Sequence, residues 1–435
     1  MMFNSYSSSE IHAVLSSPNP ELKSLLAIPS IVRAIKQKPY GLMNFLLSHA
    51  DEMLAMVFSQ DKSIEASRAY SILVLGDPAI SSEILKDDKF RNHALEALVQ
   101  PDVPSYVLGR LSSLTLTLLQ TLPADTIEHC GFIYHLLKHC ANPSVYNFFT
   151  SLTNGEETRF EKAQEWLVDF GFSEYIIREL KSVDFKYQST NTNPYLDPVY
   201  DKLSCLYQLV KRSSENKIME KGFKTNSVVQ ALLEEIPNAP DYVKNAHWAA
   251  ITAVTCQPVA VECLKLIPTA LKLITEPFDR IRSYRVSALT FLAQMMEIAP
   301  MAYELLLQSS ILQSLCTVLI QFPNCTILHG EFRKFVEIGL KNEQFAEKMV
   351  GVYTPLFIDQ ATGRFNRVLS PTLFAIVELF NNKAASRPAI KAVLNEIPEY
   401  RDFYRNELLP YNQVCNSTYG GTSISQFFGS FKNFF

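Results

Sequence analysis

The stretch LGRLSSLTLTLLQTLPAD, residues 108–125, decides the fold class. Leu108, Leu111, Thr115, Leu118, Leu119 and Leu122 recur at steps of three and four, the period of one face of an α-helix. Leu122-Pro123 then closes the run, because Pro fixes φ, lacks an N–H donor and suits the first turn of a helix rather than its middle. The same grammar extends in both directions. Ala163, Trp166, Leu167 and Phe170 form a second apolar stripe, and Ile281, Tyr284, Ala288, Phe291, Leu292 and Met295 a third. Further breaks carry Pro at Asp77-Pro78, Asn142-Pro143, Ile267-Pro268, Ala299-Pro300 and Phe322-Pro323. About twenty helical segments of roughly 10–20 residues, parted by roughly 2–6 residues, predict antiparallel neighbours.

No strict tetratricopeptide or ankyrin signature is present. The pattern predicts an all-α fold, an armadillo- or HEAT-like helical-repeat solenoid of degenerate helix pairs about 40 residues long. A single bundle is the poorer packing, since cores stop growing beyond about 250–300 residues. N-terminal repeats are expected over 10–181 and C-terminal repeats of the same solenoid over 198–415. Between them 182–197, SVDFKYQSTNTNPYLD, is polar and aperiodic and reads as an exposed loop with little to bury. A linker is expected over 416–423 and a Phe-rich amphipathic tail over 424–435.

Composition narrows the function classes. Only 14 of 435 residues are Gly, against a usual level of about 7%. Gly supplies the positive-φ positions of hairpins and phosphate loops, so its scarcity argues against an all-β fold and most nucleotide enzymes. The net charge is −4, whereas nucleic acid as main partner needs a dense basic surface. Hydrophobic residues are 47% of the chain, enough to build a core rather than a disordered segment. The first ten residues do not read as a secretory signal. The eight cysteines contain no C-x-x-C pair, which predicts reduced thiols. A cytoplasmic protein is expected, with the nucleus left open as a second location.

Signals for catalysis are missing: no G-x-G-x-x-G, no G-x-x-x-x-G-K-S/T, no G-x-S-x-G and no EF-hand loop. The expectation is a non-enzyme without cofactor. The sharpest local oddity is Glu128 to Cys140, which holds His129, His135 and His139 between Cys130 and Cys140. On a helix His135 and His139 would share a face and could grip a metal. No Glu follows His135 to act as base, and Cys130 lies more than a turn away, so a packed helix is the expected reading and no metal is assigned. Arg285 falls inside the third apolar stripe, where a charge is costly unless paired. It either meets an acidic partner or, the favoured reading, bonds to carbonyls at the end of a neighbouring helix. Trp166, on the second stripe, is expected in the core. Asn324 has the chemistry to cap the helix that follows, and His329 reads as a partly exposed helical residue.

The C-terminus ends in Ile424, Phe427, Phe428, Phe431, Phe434 and Phe435 on one helical face. Such a face can cap the end of the solenoid, dock in a partner's groove or lie on a membrane. The lone Lys432 gives little attraction to anionic lipid, which disfavours the membrane.

Several stretches, in order, resemble the SAPS domain, the family of regulatory subunits of Sit-type, or type 6, serine/threonine protein phosphatases. The nearest is 306–341, LLQSSILQSLCTVLIQFPNCTILHGEFRKFVEIGLK. There Asn324, Leu328 and His329 match a helix end followed by Asn, then Leu-His, then an apolar helix. RSYRVSALTFLAQMM, 282–296, is similar to an Arg-led helix of the family, with Arg285 in place of the Arg and Gln294 where the family has Glu. FIYHLLKHCANPSVYNFFTSL (132–152), EWLVDFGFSEYIIREL (165–180), NPELKSLLAIPSIVRAI (19–35) and EIPEYRDFYRNELLPYNQVCNSTYGG (396–421) follow the family pattern as well. Asn147, Ser151 and Val168 depart from it. The resemblance implies a non-catalytic scaffold that binds a type 6 phosphatase catalytic subunit and directs it to substrates, with room for a third, adaptor subunit. The partner-binding residues then expected are Arg285, Asn324 and His329, with Phe427, Phe428 and Phe431 of the tail. A general armadillo-like adaptor in transport or trafficking is the competing reading.

Overall fold

The computed structural model describes residues 3–184, 186–236, 238–362 and 369–416. The tail with Phe427, Phe428 and Phe431, and all of the expected linker except Asn416, lie outside the described residues. Asn416 itself closes the last helix, Leu409–Asn416. Every regular element among the described residues is helical. The chain forms two compact units, Met1–Val254 and Thr255–Phe435. The 182–197 segment lies inside the first.

In the first unit the helices used below are α1 (Pro78–Leu85), α2 (Ser105–Thr121), α3 (Pro143–Leu152), α4 (Glu161–Asp169), α5 (Phe172–Lys181), α6 (Pro198–Glu215) and α7 (Asp241–Val254). The stripe of residues 108–122 is the buried face of α2: Leu108, Leu111, Thr115, Leu118 and Leu119 are all buried, while Leu122 ends the helix half-exposed. Pro occupies the first turn of α1, α3 and α6, and Asp77, Asn142 and Asp197 cap those helices with side-chain oxygens. α4 turns into α5 through Gly171 at φ +79, a left-handed position that Gly adopts without steric cost. α6 packs along α7, burying Tyr200, Leu203, Leu206 and Trp248.

The second unit contains α8 (Ile267–Thr275), α9 (Ser283–Ile298), α10 (Ile311–Gln321), α11 (Thr326–Gly339), α12 (Glu343–Thr362), α13 (Ser370–Ala384) and α14 (Pro388–Glu396). A turn of α-helix, Tyr400–Phe403, then widens into a π-helix, Tyr404–Leu408. α9 carries the third stripe, with Tyr284, Ala288, Phe291, Leu292 and Met295 buried. It also buries Val286, Leu289, Ala293 and Met296 on its other side, as a helix enclosed by neighbours must. Those neighbours include α8 and α11; α8 also packs on α10, α10 on α12, and α11 on α13.

Several long-range hydrogen bonds span 41 to 43 residues, while others differ, such as Arg110 to the Val57 carbonyl across 53 and Arg387 to the Leu340 carbonyl across 47. Arg68 donates to the Leu26 carbonyl across 42 residues, and His129 pairs with Asp88 across 41. Thr290 bonds Glu331 across 41, Gln321 the Phe278 carbonyl across 43, and Thr372 His329 across 43. Where the 182–197 segment intervenes the separation rises: Tyr146 reaches Gln208 across 62 residues and Asn216 the Thr153 carbonyl across 63. The 182–197 segment lies between the partners of both of these longer contacts.

Most of the described residues of that segment are exposed, Val183, Tyr187 and Ser189 are half-buried, and one is buried. Asp197 is buried and accepts bonds from Tyr187 Oη at 2.7 Å, from Ser189 Oγ, and from the Val199 N–H at 2.9 Å. Burial alone would raise the Asp197 pKa, but the Ser189 and Tyr187 hydroxyls and the helix N–H groups hold the carboxyl below its ordinary value. The loop therefore has an anchor that its aperiodic composition does not reveal.

The second stripe also needs correction. Ala163 and Leu167 are buried, but Trp166 is half-buried and Phe170 exposed. Their rings stack at 4.7 Å, and Tyr134 stacks on Phe170 at 4.9 Å. The tryptophan in the core is Trp248, whose Nε1 donates to Glu235 at 2.7 Å.

Candidate partner-binding surface

Arg285, Asn324 and His329 all lie in the second unit, at the α8–α9–α11 packing. Their settings differ. The Arg285 guanidinium donates to the Leu273 carbonyl in the last turn of α8 and stacks over the Phe278 ring at 4.0 Å. This is the favoured reading made from its place in the apolar stripe, an arginine that serves a neighbouring helix end. Three other arginines do the same. Arg68 donates to Leu26 O at 2.7 Å, Arg110 to Val57 O at 3.0 Å and Arg387 to Leu340 O at 2.7 Å. Each carbonyl lies at or within a residue or two of a helix C-terminus, where the last carbonyls lack intrahelical donors and the dipole favours a cation.

His329 is buried rather than partly exposed. Its Nδ1 meets Thr372 Oγ1 of α13 at 3.3 Å. Burial lowers its pKa, with the Phe322 carbonyl acting in the opposite direction, so the neutral imidazole fills the joint between α11 and α13. Asn324 is exposed but does not cap α11. It sits in the turn, while the N-cap position falls on Cys325, which makes no side-chain cap bond.

Val286 and Cys325, the chain neighbours of Arg285 and Asn324, line a groove between the N-terminal halves of α9 and α11, with a volume of about 340 Å³; none of the three residues lines it. Val286 and Thr290 line it from α9, and Cys325, Ile327 and Glu331 from the α11 side. Ile327 is 71% exposed, an apolar side chain standing at the rim. Glu331 is held by Thr290 Oγ1 at 2.8 Å and by Lys334 at 2.7 Å, which fixes a carboxylate at the wall. Asn324 lies one residue before Cys325 at the mouth. The arrangement offers an apolar contact, an amide and an ordered carboxylate, a set suited to a protein surface. Sequence reading passed over Ile327 and Glu331. Their signal was available only as an apolar residue off the buried face of α11.

The histidine cluster has another geometry than the one expected. The helix Ile133–Leu137 ends before His139, so His135 and His139 do not share a helical face. His129 Nδ1 instead pairs with Asp88 at 2.7 Å. Burial lowers the pKa of His135 and His139, Lys138 adding to it. Among the described residues no three His, Cys, Asp or Glu side chains stand close enough to hold a metal ion. Burial raises the thiol pKa of Cys130 and Cys140, and pushes Cys316 up to about 12 and Cys205 and Cys263 to about 11. These thiols stay protonated and make poor nucleophiles.

Among the described residues no single helix is long and apolar enough to cross a membrane. No family model matches the chain and no curated protein matches it.

Proposed function

We propose that this chain is a non-catalytic helical-repeat scaffold that binds a type 6, Sit-type serine/threonine protein phosphatase catalytic subunit and directs it to substrates. The observation that carries the scaffold reading is the recurrence of interhelical bonds across 41 to 43 residues in both units. These recurring contacts support a reading as stacked helix pairs on the armadillo/HEAT plan, and such stacks serve as extended binding surfaces. The phosphatase reading rests on the ordered SAPS-like stretches. The densest of these, 306–341, contains α10 and α11 and supplies one wall of the groove. The contact residues in this reading are Asn324 and Ile327, with Arg285 and His329 holding the helices that present them. The scaffold acts by position: a substrate held on the array gains effective concentration at the metal centre of the bound catalytic subunit.

The test mixes the purified chain with recombinant type 6 catalytic subunit and follows complex formation by size-exclusion chromatography. A stoichiometric complex is expected. Ile327→Asp combined with Asn324→Ala should weaken it at least about tenfold with unfolding unchanged to within about 0.5 kcal/mol, since both side chains are exposed. Failure to form a complex, together with recovery of cargo or coat proteins from native cells, would favour a transport adaptor instead.

A further inference from the structure

Near the end of the second unit a pocket of about 740 Å³ opens between the C-terminal end of α13, α14 and the segment Tyr400–Arg405. Three cations line it: Lys391 from α14, and Arg401 and Arg405 across the junction of α-helix and π-helix. No carboxylate is among the described residues that line it. All three cations are exposed at their tips, and none forms an ion pair among the described residues. Several other cations of the second unit are paired, as in Lys265–Glu262, Arg333–Glu337 and Lys334–Glu331. An unmatched cluster of three in one concavity focuses positive potential.

The remaining walls are hydrogen-bonding groups. Asn381 accepts a bond from Tyr400 Oη at 3.1 Å, which leaves its amide hydrogens to donate. Burial, with Tyr404 and Glu378 nearby, pushes the Tyr400 phenol up to about 12, so it remains a donor. Asn382 and Asn395 add exposed amides, groups that pair with a peptide main chain as donor and acceptor at once. Arg401 and Arg405 are four residues apart, and the wider turn of a π-helix begins between them. π-turns are rare and concentrate at functional sites. Here the turn sets two guanidinium forks on one wall, the geometry that grips a phosphate or carboxylate with paired N–H donors.

We propose that this pocket binds a phosphorylated segment of a partner protein: the phosphate between Lys391, Arg401 and Arg405, the flanking main chain on the asparagine amides. The volume exceeds what a single inorganic anion needs. Three cations are too few for a nucleic acid backbone. No large apolar side chain that lines the pocket is exposed to enter a bilayer. The proposal stands on the pocket alone and does not depend on which catalytic subunit the chain binds.

The test is an array of degenerate peptides whose central residue is phosphoserine, serine or glutamate, probed with the full chain, alongside sedimentation with phosphatidylserine–phosphatidylcholine vesicles. Phosphoserine peptides should be retained at least about tenfold over their serine counterparts, in a salt-sensitive manner, and inorganic phosphate should compete. Arg401→Glu with Arg405→Glu should abolish the enrichment with an unchanged circular dichroism spectrum. Lys383→Glu, an exposed lysine outside the lining, should keep it. Equal retention of serine or glutamate peptides would overturn the proposal. So would vesicle binding without phosphopeptide binding, or enrichment that survives in the double variant.

Discussion

Arg285 shows how one side chain in a helix stripe is settled by its neighbours. Its guanidinium answers the Leu273 carbonyl and covers Phe278, so its removal exposes a helix end as well as a ring. Arg285→Met should lower stability by about 1.5–3 kcal/mol, the cost of a hydrogen bond to a charged group. Thermal unfolding checks this: a change within experimental scatter would mean that the bond contributes nothing. His329 belongs to the same scale and responds to pH. Its folded pKa is depressed by burial, as are those of His135 and His139, while an unfolded histidine titrates near 6.5. The unfolded chain therefore takes up protons first as pH falls. The stabilisation is fully present above about pH 6.5 and is lost as pH drops through the depressed folded values. The unfolding midpoint should decline between pH 7.5 and pH 5.5, and His329→Gln should show a shallower decline over that interval.

At the scale of helices, the joints are made by small residues and prolines as much as by apolar stripes. Gly339 ends α11, and a Cβ placed there would lie 2.9 Å from Phe345 Cε1 and 3.2 Å from Met349 Sδ. Both neighbours are fully buried in α12 and cannot swing away. Gly339→Ala should therefore destabilise by about 1–3 kcal/mol through overpacking, against the ordinary preference of helices for Ala; an unchanged or raised unfolding midpoint would show that α11 and α12 can part at little cost. Pro355 makes the complementary point. It sits within α12 rather than at its start, because the surrounding buried residues Tyr353, Phe357 and Ile358 hold the helix together despite one lost backbone bond.

For the molecule as a whole, the 182–197 segment is the informative feature. It is exposed along most of its length, yet the helices on either side of it are joined directly. Lys202 pairs with Glu179 at 2.5 Å, Tyr146 bonds Gln208, and Asn216 holds the Thr153 carbonyl at 3.2 Å. Limited proteolysis should nick 182–197 first and leave fragments that co-elute on size exclusion. Asp197→Ala removes the buried anchor and the α6 cap together, and should speed the nick and lower stability by about 1–2 kcal/mol. Separation of the fragments without denaturant would show that the bridging contacts are weak. Initial cleavage within 205–340 would show that the exposed segment is not the weakest point.

Several features were fixed by sequence alone because they depend on local rules. A period of three and four with Pro at the breaks makes helices wherever it occurs, and the buried faces of α2 and α9 follow from residues 108–122 and 281–295 read in isolation. The scarcity of Gly argued against the tight β-turns of an all-β fold. What depends on partners distant in the chain was decided only by the tertiary structure. Trp166 shares its helix with buried residues yet lies half-buried, stacked on the exposed Phe170, which in turn stacks on Tyr134 of a different helix. Arg285 meets a carbonyl twelve residues away, and His329 a threonine 43 residues away. Lys391, Arg401 and Arg405 are unremarkable as a sequence and become one pocket only when α13, α14 and the π-turn close around them. Periodicity records which side of a helix is apolar. It carries no record of which other helix covers that side, and at each of these residues that covering helix set the outcome.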